Sequence, residues 1–214
     1  MRGRNGFDLA SLVDPSYDVS EHARIRLRAE GYGVRGSSHV VTLPRAPSEK
    51  LAALFGLLCG DGSLTKYETA ARRGKWRIDY AESDPMVIEE YVRLTRELFG
   101  VSPSVSDRKT WYEAYYCSKI VYRFYSRVLG HRTGKKTGSL TIPPSFRHDS
   151  RILFGFLRGL FMAEGSIKVE RNVRIALEMQ EPLLIGQMAS IMRKATFHPH
   201  VYSYAREGRK VHGL

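Results

Sequence analysis

The chain has 214 residues, 43% of them apolar, and is long enough to bury a core that needs neither disulfides nor a structural metal. Its 34 lysines and arginines outnumber its 22 acidic residues, and the net charge of +12 indicates a polyanionic partner, nucleic acid before an anionic membrane. Two cysteines exclude a disulfide framework and a four-cysteine zinc site, and the longest apolar run, residues 51–60, is about half of a membrane span. We therefore expect a soluble protein of a reducing compartment, cytoplasmic in a prokaryotic-type cell, with an organelle or the nucleus as the alternatives.

Residues 1–47 show no sustained helical or strand period, and glycines and prolines divide them into short pieces. We interpret them as an N-terminal arm without an assigned role. From residue 48 onward the sequence predicts two similar halves, residues 48–140 and residues 141–214, the second of which begins with a linker.

A short apolar segment that ends in an acid, a glycine and a serine occurs twice in the chain. Residues 54–64 read LFGLLCGDGSL and residues 157–167 read LRGLFMAEGSI, so Asp61 and Glu164 hold the same position in the two copies. One such segment is usually only the C-terminal turn of a helix. Two copies in the same frame, each followed by similar elements, instead indicate a duplicated functional site.

The elements that follow the two copies also match, as strands of alternating polarity and as helices that begin at an acid–proline pair. Each copy reads helix, two strands, helix, two strands, which predicts an α+β fold of two pseudo-twofold αββαββ halves. The predicted strands lie at 75–80, 111–117, 173–180 and 200–206, the acid–proline pairs at 84–85 and 181–182, and a closing helix, in the first half only, at 119–130.

Small residues recur at every fourth position of both motif helices. They are Gly56 and Gly60 in the first helix, and Gly155, Gly159 and Ala163 in the second. Such a stripe lets two helix backbones approach closely. We expect the two halves to pack through these helices, side by side and with the same polarity.

This packing would bring Asp61 and Glu164 together at the C-terminal ends of the motif helices. Each carboxylate would then face the negative end of a helix dipole and repel the other carboxylate. A divalent cation bound to both carboxylates would offset their mutual repulsion and their unfavourable interaction with the helix dipoles. Hard cations prefer carboxylate, carbonyl and water oxygens. Mg²⁺ shared by the two acids could activate water and stabilise a phosphodiester leaving group, so the sequence implies a cation at this pair.

With these residues the chain resembles the LAGLIDADG homing endonucleases in their single-chain, two-motif form. Residues 54–62 and 157–165 occupy the nine motif positions, and residues 134–144 are similar to the family's linker into the second motif. The resemblance extends over about residues 48–206. Cys59 and Met162 replace the first aspartate of the motif, at a position that is structural in the family.

The resemblance implies which residues form the catalytic centre. The last motif acid of each copy binds the metal, here Mg²⁺ with Mn²⁺ or Ca²⁺ as substitutes for binding, and the carbonyl of the preceding residue often helps. A lysine near the site is commonly invoked to organise water or stabilise charge. The implied metal ligands are Asp61, Glu164, Gly60 and Ala163, and the implied catalytic residues are Asp61, Glu164 and either Lys136 or Lys168.

The family also implies a partner and an activity. Its two β-sheets form a saddle that reads a long site in the major groove of duplex DNA, and its acids cut both strands across the intervening minor groove. The chain would accordingly be a monomeric, intron-encoded or free-standing endonuclease that leaves 3′ overhangs. Loop cations suit phosphate and outward strand side chains suit base edges. The predicted DNA-binding residues are Lys66, Arg72, Arg73, Lys75, Arg77, Arg108, Lys109, Lys135, Arg171, Arg174, Glu178, Gln180 and Arg206.

Two other functions remain open for a chain of this fold. One is an RNA maturase that assists intron splicing, and the other is a non-cleaving DNA-binding regulator. Intact Asp61 and Glu164 favour the nuclease, because binding alone does not require an acid pair. The second half is short and has no obvious counterpart of the stretch that contains Lys136, which could slow the cutting of one strand.

Overall fold

The computed structural model describes residues 6–7, 9–12, 41–69, 72–134, 138, 140–169, 171 and 173–214. Within these residues, five α-helices and eight strands form two similar halves, which confirms the predicted α+β fold and its αββαββ repeat. Two short 3₁₀ helices, Leu9–Leu12 and Pro144–Phe146, precede the first and the second motif helix respectively.

The order of elements is the same in both halves, apart from one closing helix. The first half contains α1 (Glu49–Asp61), β1 (Gly62–Thr69), β2 (Arg72–Glu82), α2 (Pro85–Phe99), β3 (Ser104–Asp107), β4 (Tyr112–Cys117) and α3 (Lys119–Arg123), which continues as the π-helical segment Phe124–Val128. The second half contains α4 (Ser150–Glu164), β5 (Gly165–Val169), β6 (Val173–Met179), α5 (Pro182–Lys194), β7 (Tyr202–Arg206) and β8 (Arg209–Gly213).

Side chains cap the first turns of both motif helices. The hydroxyl of Ser48 accepts from the backbone N–H of Leu51 at 3.2 Å, and a carboxylate oxygen of Asp149 accepts from that of Arg151 at 2.8 Å. Asp149 is therefore the cap of the second motif helix. These oxygens satisfy amide groups that have no partner within the helix.

Each half carries a four-stranded antiparallel sheet with the same strand order, β1-β2-β4-β3 in the first half and β5-β6-β8-β7 in the second. Leu64 lies opposite Ile78 in the first sheet, and Ile167 lies opposite Ile175 in the second. Because side chains alternate across a strand, each sheet has an inner face, which carries these aliphatic pairs, and an outer face.

The core is centred on α1, in which every residue from 51 to 60 is buried. The ring of Phe55 lies within 6.3 Å, centroid to centroid, of the rings of Tyr125, His131, Phe146 and Phe156. These partners come from the end of the first half, the linker and α4. The two halves therefore share one hydrophobic core around the motif helices.

The inner faces of the two sheets differ in how far other elements bury them. In the first half, α3 packs on β2, with the ring of Tyr122 edge-on to Trp76 at 4.8 Å, and Leu64 and Ile78 are fully buried. In the second half the described residues contain no helix after β8. Ile167 and Ile175 are accordingly 70% and 61% exposed, and Val169 and Val173 beside them are exposed as well.

The described parts of the N-terminal arm pack on the first half. Leu12, Val41 and Leu43 are buried in the core, and the backbone N–H of Thr42 donates to the carbonyl of Phe99 at 2.9 Å. Most of the arm, residues 13–40, lies outside the described part of the chain. Across the ranges that the structure covers, none of the helices has the length and apolar character required to cross a bilayer.

Candidate catalytic centre and nucleic-acid interface

The two motif helices pack at backbone contact, as the spacing of their small residues predicts. A Cβ atom on Gly159 would lie 1.9 Å from the carbonyl oxygen of Ala53, and one on Gly56 would lie 2.3 Å from that of Phe156. Near the C-terminal ends, a Cβ atom on Gly60 would lie 3.0 Å from Cγ of Glu164. The contact therefore places the Glu164 side chain directly beside the residue that precedes Asp61.

Asp61 and Glu164 are the last residues of α1 and α4, and each is followed by an extended glycine. The N–H of Gly62 donates to the carbonyl of Leu58, and a Cβ atom on Gly62 would lie 2.4 Å from Cδ1 of Leu58. Only glycine fits this tight exit from the helix. The turn leaves the Asp61 side chain exposed, whereas that of Glu164 is half-buried.

The electrostatics of Tyr80 support the convergence of the two acids. Burial raises the pKa of this fully enclosed phenol, and the negative charges of Asp61, Glu82 and Glu164 raise it further. Both motif acids therefore act on the same buried ring of β2. Their charges repel each other unless a cation lies between them.

The oxygens at this position suit a hard divalent cation. Asp61 and Glu164 supply carboxylates, and Gly60 and Ala163 supply backbone carbonyls at the ends of the two helices. In the part of the chain that the structure describes, no group of three His, Cys, Asp or Glu side chains is placed to hold a metal ion by itself. A cation bound here would thus need carbonyl and water oxygens in addition to the two acids, which is the usual coordination of Mg²⁺.

A cavity of about 650 Å³ opens beside the acid pair. Its lining contains Gly60 and Glu164 at the ends of the motif helices and residues 178–181 of the second half. Arg206, Glu207 and Arg209 of the β7–β8 hairpin also line it. Of the predicted DNA-binding residues, Glu178, Gln180 and Arg206 therefore lie along the same cavity as the motif acid.

On the outer face of the first sheet, Arg77 is held in place by acids on two strands. Its guanidinium forms ion pairs with Asp79 and, at 2.7 Å, with Glu113, and it lies 4.2 Å from the centre of the Tyr115 ring. Arg108 forms a second ion pair with Glu113 at 2.5 Å. Burial raises the pKa of Asp79, because desolvation outweighs the hydrogen bond and attraction to Arg77. A guanidinium that is held in one orientation, as that of Arg77 is, suits contact with a base edge better than contact with a phosphate.

On the outer face of the second sheet, Lys168 and Arg174 lie opposite each other on β5 and β6. Glu178 lies further along β6, and its two carboxylate oxygens accept hydrogen bonds from the hydroxyls of Tyr202 at 2.6 Å and Tyr204 at 2.8 Å. The hydrogen bond from Tyr202, and then that from Tyr204, lowers the pKa of Glu178. The carboxylate is therefore ionised and held in one orientation.

Other predicted residues lie elsewhere. Lys66 is on the inner face of the first sheet, where its ammonium group lies 5.1 Å from the centre of the Trp76 ring, so the structure does not place it with the outer-face residues. Arg171 is exposed between β5 and β6, and Lys109 is exposed in the β3–β4 turn. The side chains of Arg72, Arg73 and Lys75, together with Lys135 and Lys136, lie outside the described residues. Of the two candidate catalytic lysines, only Lys168 is described.

Two buried polar residues near the site were not predicted. Nε2 of His131 lies 3.2 Å from the carbonyl oxygen of Leu58, the same oxygen that closes the end of α1. Glu181 accepts from the backbone N–H of Leu140 at 2.9 Å and thereby fastens the linker to the second half. The acid–proline pair predicted Glu181 as the cap of α5, but its side chain makes no capping hydrogen bond there and binds the linker instead. Nothing in the sequence around His131 indicated its contact.

Comparison with known proteins agrees with this architecture. Residues 151–212 match the model of the LAGLIDADG-like domain family. Mesophilic variants of the homing endonuclease I-DmoI superpose with a TM-score of 0.61 at 19% identity, over 77% of this chain and 83% of that chain. I-DmoI in complex with DNA and Mn superposes with a TM-score of 0.59 at 20% identity, over 77% and 88% of the two chains.

Further I-DmoI complexes with DNA were determined with Ca or Mg. The N-terminal LAGLIDADG domain of DUF199/WhiA is a weaker structural match, with a TM-score of 0.48 and 16% identity over 95% of this chain and 88% of that chain. A sequence comparison with curated proteins finds no match. The I-DmoI matches, at 19–20% identity, establish the fold alone.

Proposed function

We propose that the chain is a LAGLIDADG protein and a site-specific endonuclease that hydrolyses both strands of duplex DNA at a long recognition site. The match of residues 151–212 to the LAGLIDADG-like domain family supports this proposal. The observation that carries this proposal is the backbone contact between α1 and α4, which sets Glu164 beside Gly60, the residue that precedes Asp61. Each half then contributes one acid to a common centre and one outer sheet face to the DNA. The motif pair supplies the pseudo-twofold within one chain, so a monomer suffices.

The proposed resident cation is Mg²⁺, which Asp61 and Glu164 would hold with the carbonyls of Gly60 and Ala163. When bound, it would activate water and stabilise the leaving oxygen of the phosphodiester. The protein's own part is to hold two like charges at one point, through a helix contact that a single methyl group would disrupt. Lys168, on the outer face of β5, is the described candidate for stabilising charge on the phosphate, and Lys136 remains the alternative.

The resemblance to the homing endonucleases gives the proposal its further details. We infer cleavage across a minor groove with 3′ overhangs, and a gene carried in an intron or as a free-standing mobile element. The net charge of +12 supports a nucleic-acid partner. An RNA maturase and a non-cleaving regulator would share this charge and fold, so the activity has to be tested by cleavage.

The test is cleavage of a plasmid library that carries candidate intron-insertion sequences, with Mg²⁺ and with EDTA. Asp61→Asn and Glu164→Gln each remove one motif charge while preserving size. Glu89→Gln is the matched control, because Glu89 is an exposed carboxylate on α2, away from the motif helix ends. We expect discrete linear products with the wild type and with Glu89→Gln, and none with EDTA or with either motif variant.

The form of the residual product identifies the role of each acid. Nicked circles from one motif variant would assign that acid to one strand. Salt-sensitive binding without cutting, on a library known to contain the insertion site, would contradict the nuclease and support the regulator. Tight binding to group I intron RNA, with no cleavage of DNA, would support the maturase.

A further inference from the structure

The outer face of the second sheet carries a negative side chain where a DNA-binding surface would be expected to be positive. Glu178 lies among Lys168, Arg174 and Arg206, all on the same face. A carboxylate at this position repels the phosphate backbone. Its presence therefore requires a reason other than affinity for phosphate.

The arrangement of strands β6, β7 and β8 restricts the orientation of the Glu178 carboxylate. In register, Gly213 of β8 lies between Glu178 of β6 and Tyr202 of β7. A Cβ atom on Gly213 would lie 2.3 Å from Cζ of Tyr202, so the tyrosine ring crosses the middle strand over the glycine. Because the ring crosses β8 in this way, the Tyr202 hydroxyl on β7 can donate to Glu178 on β6.

Stacked rings fix the two tyrosines that donate to Glu178. The ring of Tyr202 stacks on Tyr204 at 6.3 Å and on His200 at 5.9 Å, with interplanar angles of 18° and 22°. The guanidinium of Arg174 lies 6.0 Å from the centre of the Tyr202 ring. Rigid aromatic neighbours of this kind reduce the entropy that a side chain loses when it binds a partner.

The hydroxyls occupy only part of the carboxylate's hydrogen-bonding capacity. Each oxygen of an ionised carboxylate has two lone-pair positions and no proton to donate, and each oxygen of Glu178 accepts one tyrosine hydroxyl. Glu178 therefore remains an acceptor of fixed direction at the edge of the cavity that also contains Glu164. Such an acceptor selects a partner that carries only donors.

We propose that Glu178, held by Tyr202 and Tyr204, is a specificity-determining residue that accepts a hydrogen bond from the N4 amine of a cytosine in the major groove. The inference rests on the proposed function, because it assigns one base within the DNA site. Cytosine presents its amine without a neighbouring acceptor, whereas adenine presents N7 beside its amine and thymine and guanine present acceptors at the corresponding edge. An acceptor-only side chain therefore fits cytosine.

The experiment selects bound sequences from a duplex library with randomised positions, with the full-length protein and without a cleavage readout. The variants are Glu178→Gln, Tyr202→Phe and Tyr204→Phe, with Glu89→Gln as the control that removes the same charge from exposed α2. We expect wild type and Glu89→Gln to enrich the same site, with cytosine at one position preferred by about tenfold, as a base-edge contact of this kind gives.

Glu178→Gln should lose the cytosine preference at that position and shift it towards adenine, because glutamine offers both a donor and an acceptor. Each tyrosine variant should weaken the preference at the same position while the rest of the site is kept. An unchanged site for Glu178→Gln would overturn the assignment although DNA binding is retained. Absence of sequence-selective DNA binding by the wild type would instead overturn the proposed function itself.

Discussion

At the scale of single residues, glycines in the helices differ in what surrounds the missing side chain. A Cβ atom on Gly159 would meet the carbonyl of Ala53 at a distance that no side chain tolerates, whereas one on Gly186 in α5 would have no neighbouring atom within 4 Å. Both are interior helical positions, where glycine is intrinsically unfavourable. The first glycine is required by contact between helices, and the second is not.

We expect Gly159→Ala and Gly186→Ala to change stability in opposite directions. Gly186→Ala should raise the free energy of unfolding by about 0.5–1 kcal/mol, since alanine favours the helix and restricts the unfolded chain. Gly159→Ala should lower it by about 1–3 kcal/mol, because the methyl group forces α1 and α4 apart. Urea unfolding measures both changes, and a Gly159→Ala variant as stable as the wild type would contradict the backbone contact.

At the scale of elements, the repeat provides pairs of equivalent residues that differ in burial. Ile78 and Ile175 occupy the same place on the inner faces of the two sheets, each opposite an aliphatic residue of the neighbouring strand. Ile78 is fully buried beneath the segment that begins with α3, and Ile175 is 61% exposed. The same residue type thus lies in two environments within one chain.

We expect the free energy of unfolding to fall by about 2–5 kcal/mol for Ile78→Ala, the range for removing a buried isoleucine side chain. For Ile175→Ala the loss should be below about 1 kcal/mol, because solvent already contacts most of the side chain. Chemical denaturation of the two variants compares them directly. Equal losses would contradict the exposed inner face and would show that Ile175 is covered in solution.

Elements were predictable from sequence because their signals are local. The alternating strands, the helices that begin at the acid–proline pairs and the closing helix of the first half were predicted from short segments, and the structure contains them. Even the inner position of Lys66 had a signal, since it lies two residues after buried Leu64 on the same strand.

Contacts between strands were not predictable, because they depend on register. The Glu178–Tyr202 hydrogen bond joins residues 24 positions apart, and the Arg77–Glu113 ion pair joins residues 36 positions apart. Neither pair is adjacent in sequence, and a shift of one residue in pairing would move either partner to the opposite face. The acid pair could be predicted because the repeat and the glycine stripe specify a helix contact without any register between strands.

At the scale of the whole molecule, the described cations differ in whether acidic side chains pair with them. On the outer face of the first sheet, Arg77 and Arg108 are paired with Asp79 and Glu113. In the second half, Arg171 is an exposed cation between β5 and β6. Exposed loop cations of this kind contact phosphate, whereas fixed side chains on the sheet select bases.

The affinity for duplex DNA should therefore fall steeply with salt, in a way that separates these two kinds of residue. Six to ten phosphate contacts would cost about 10³–10⁵-fold in affinity between about 50 mM and 200 mM salt. Arg171→Gln should reduce the slope of log affinity against log salt by about one, uniformly across sequences. Arg93→Gln, which removes the same charge from an ion-paired site on α2, should leave the slope unchanged. Binding titrations over a range of salt concentrations measure the slopes, and a wild-type slope near zero would contradict a phosphate-binding surface.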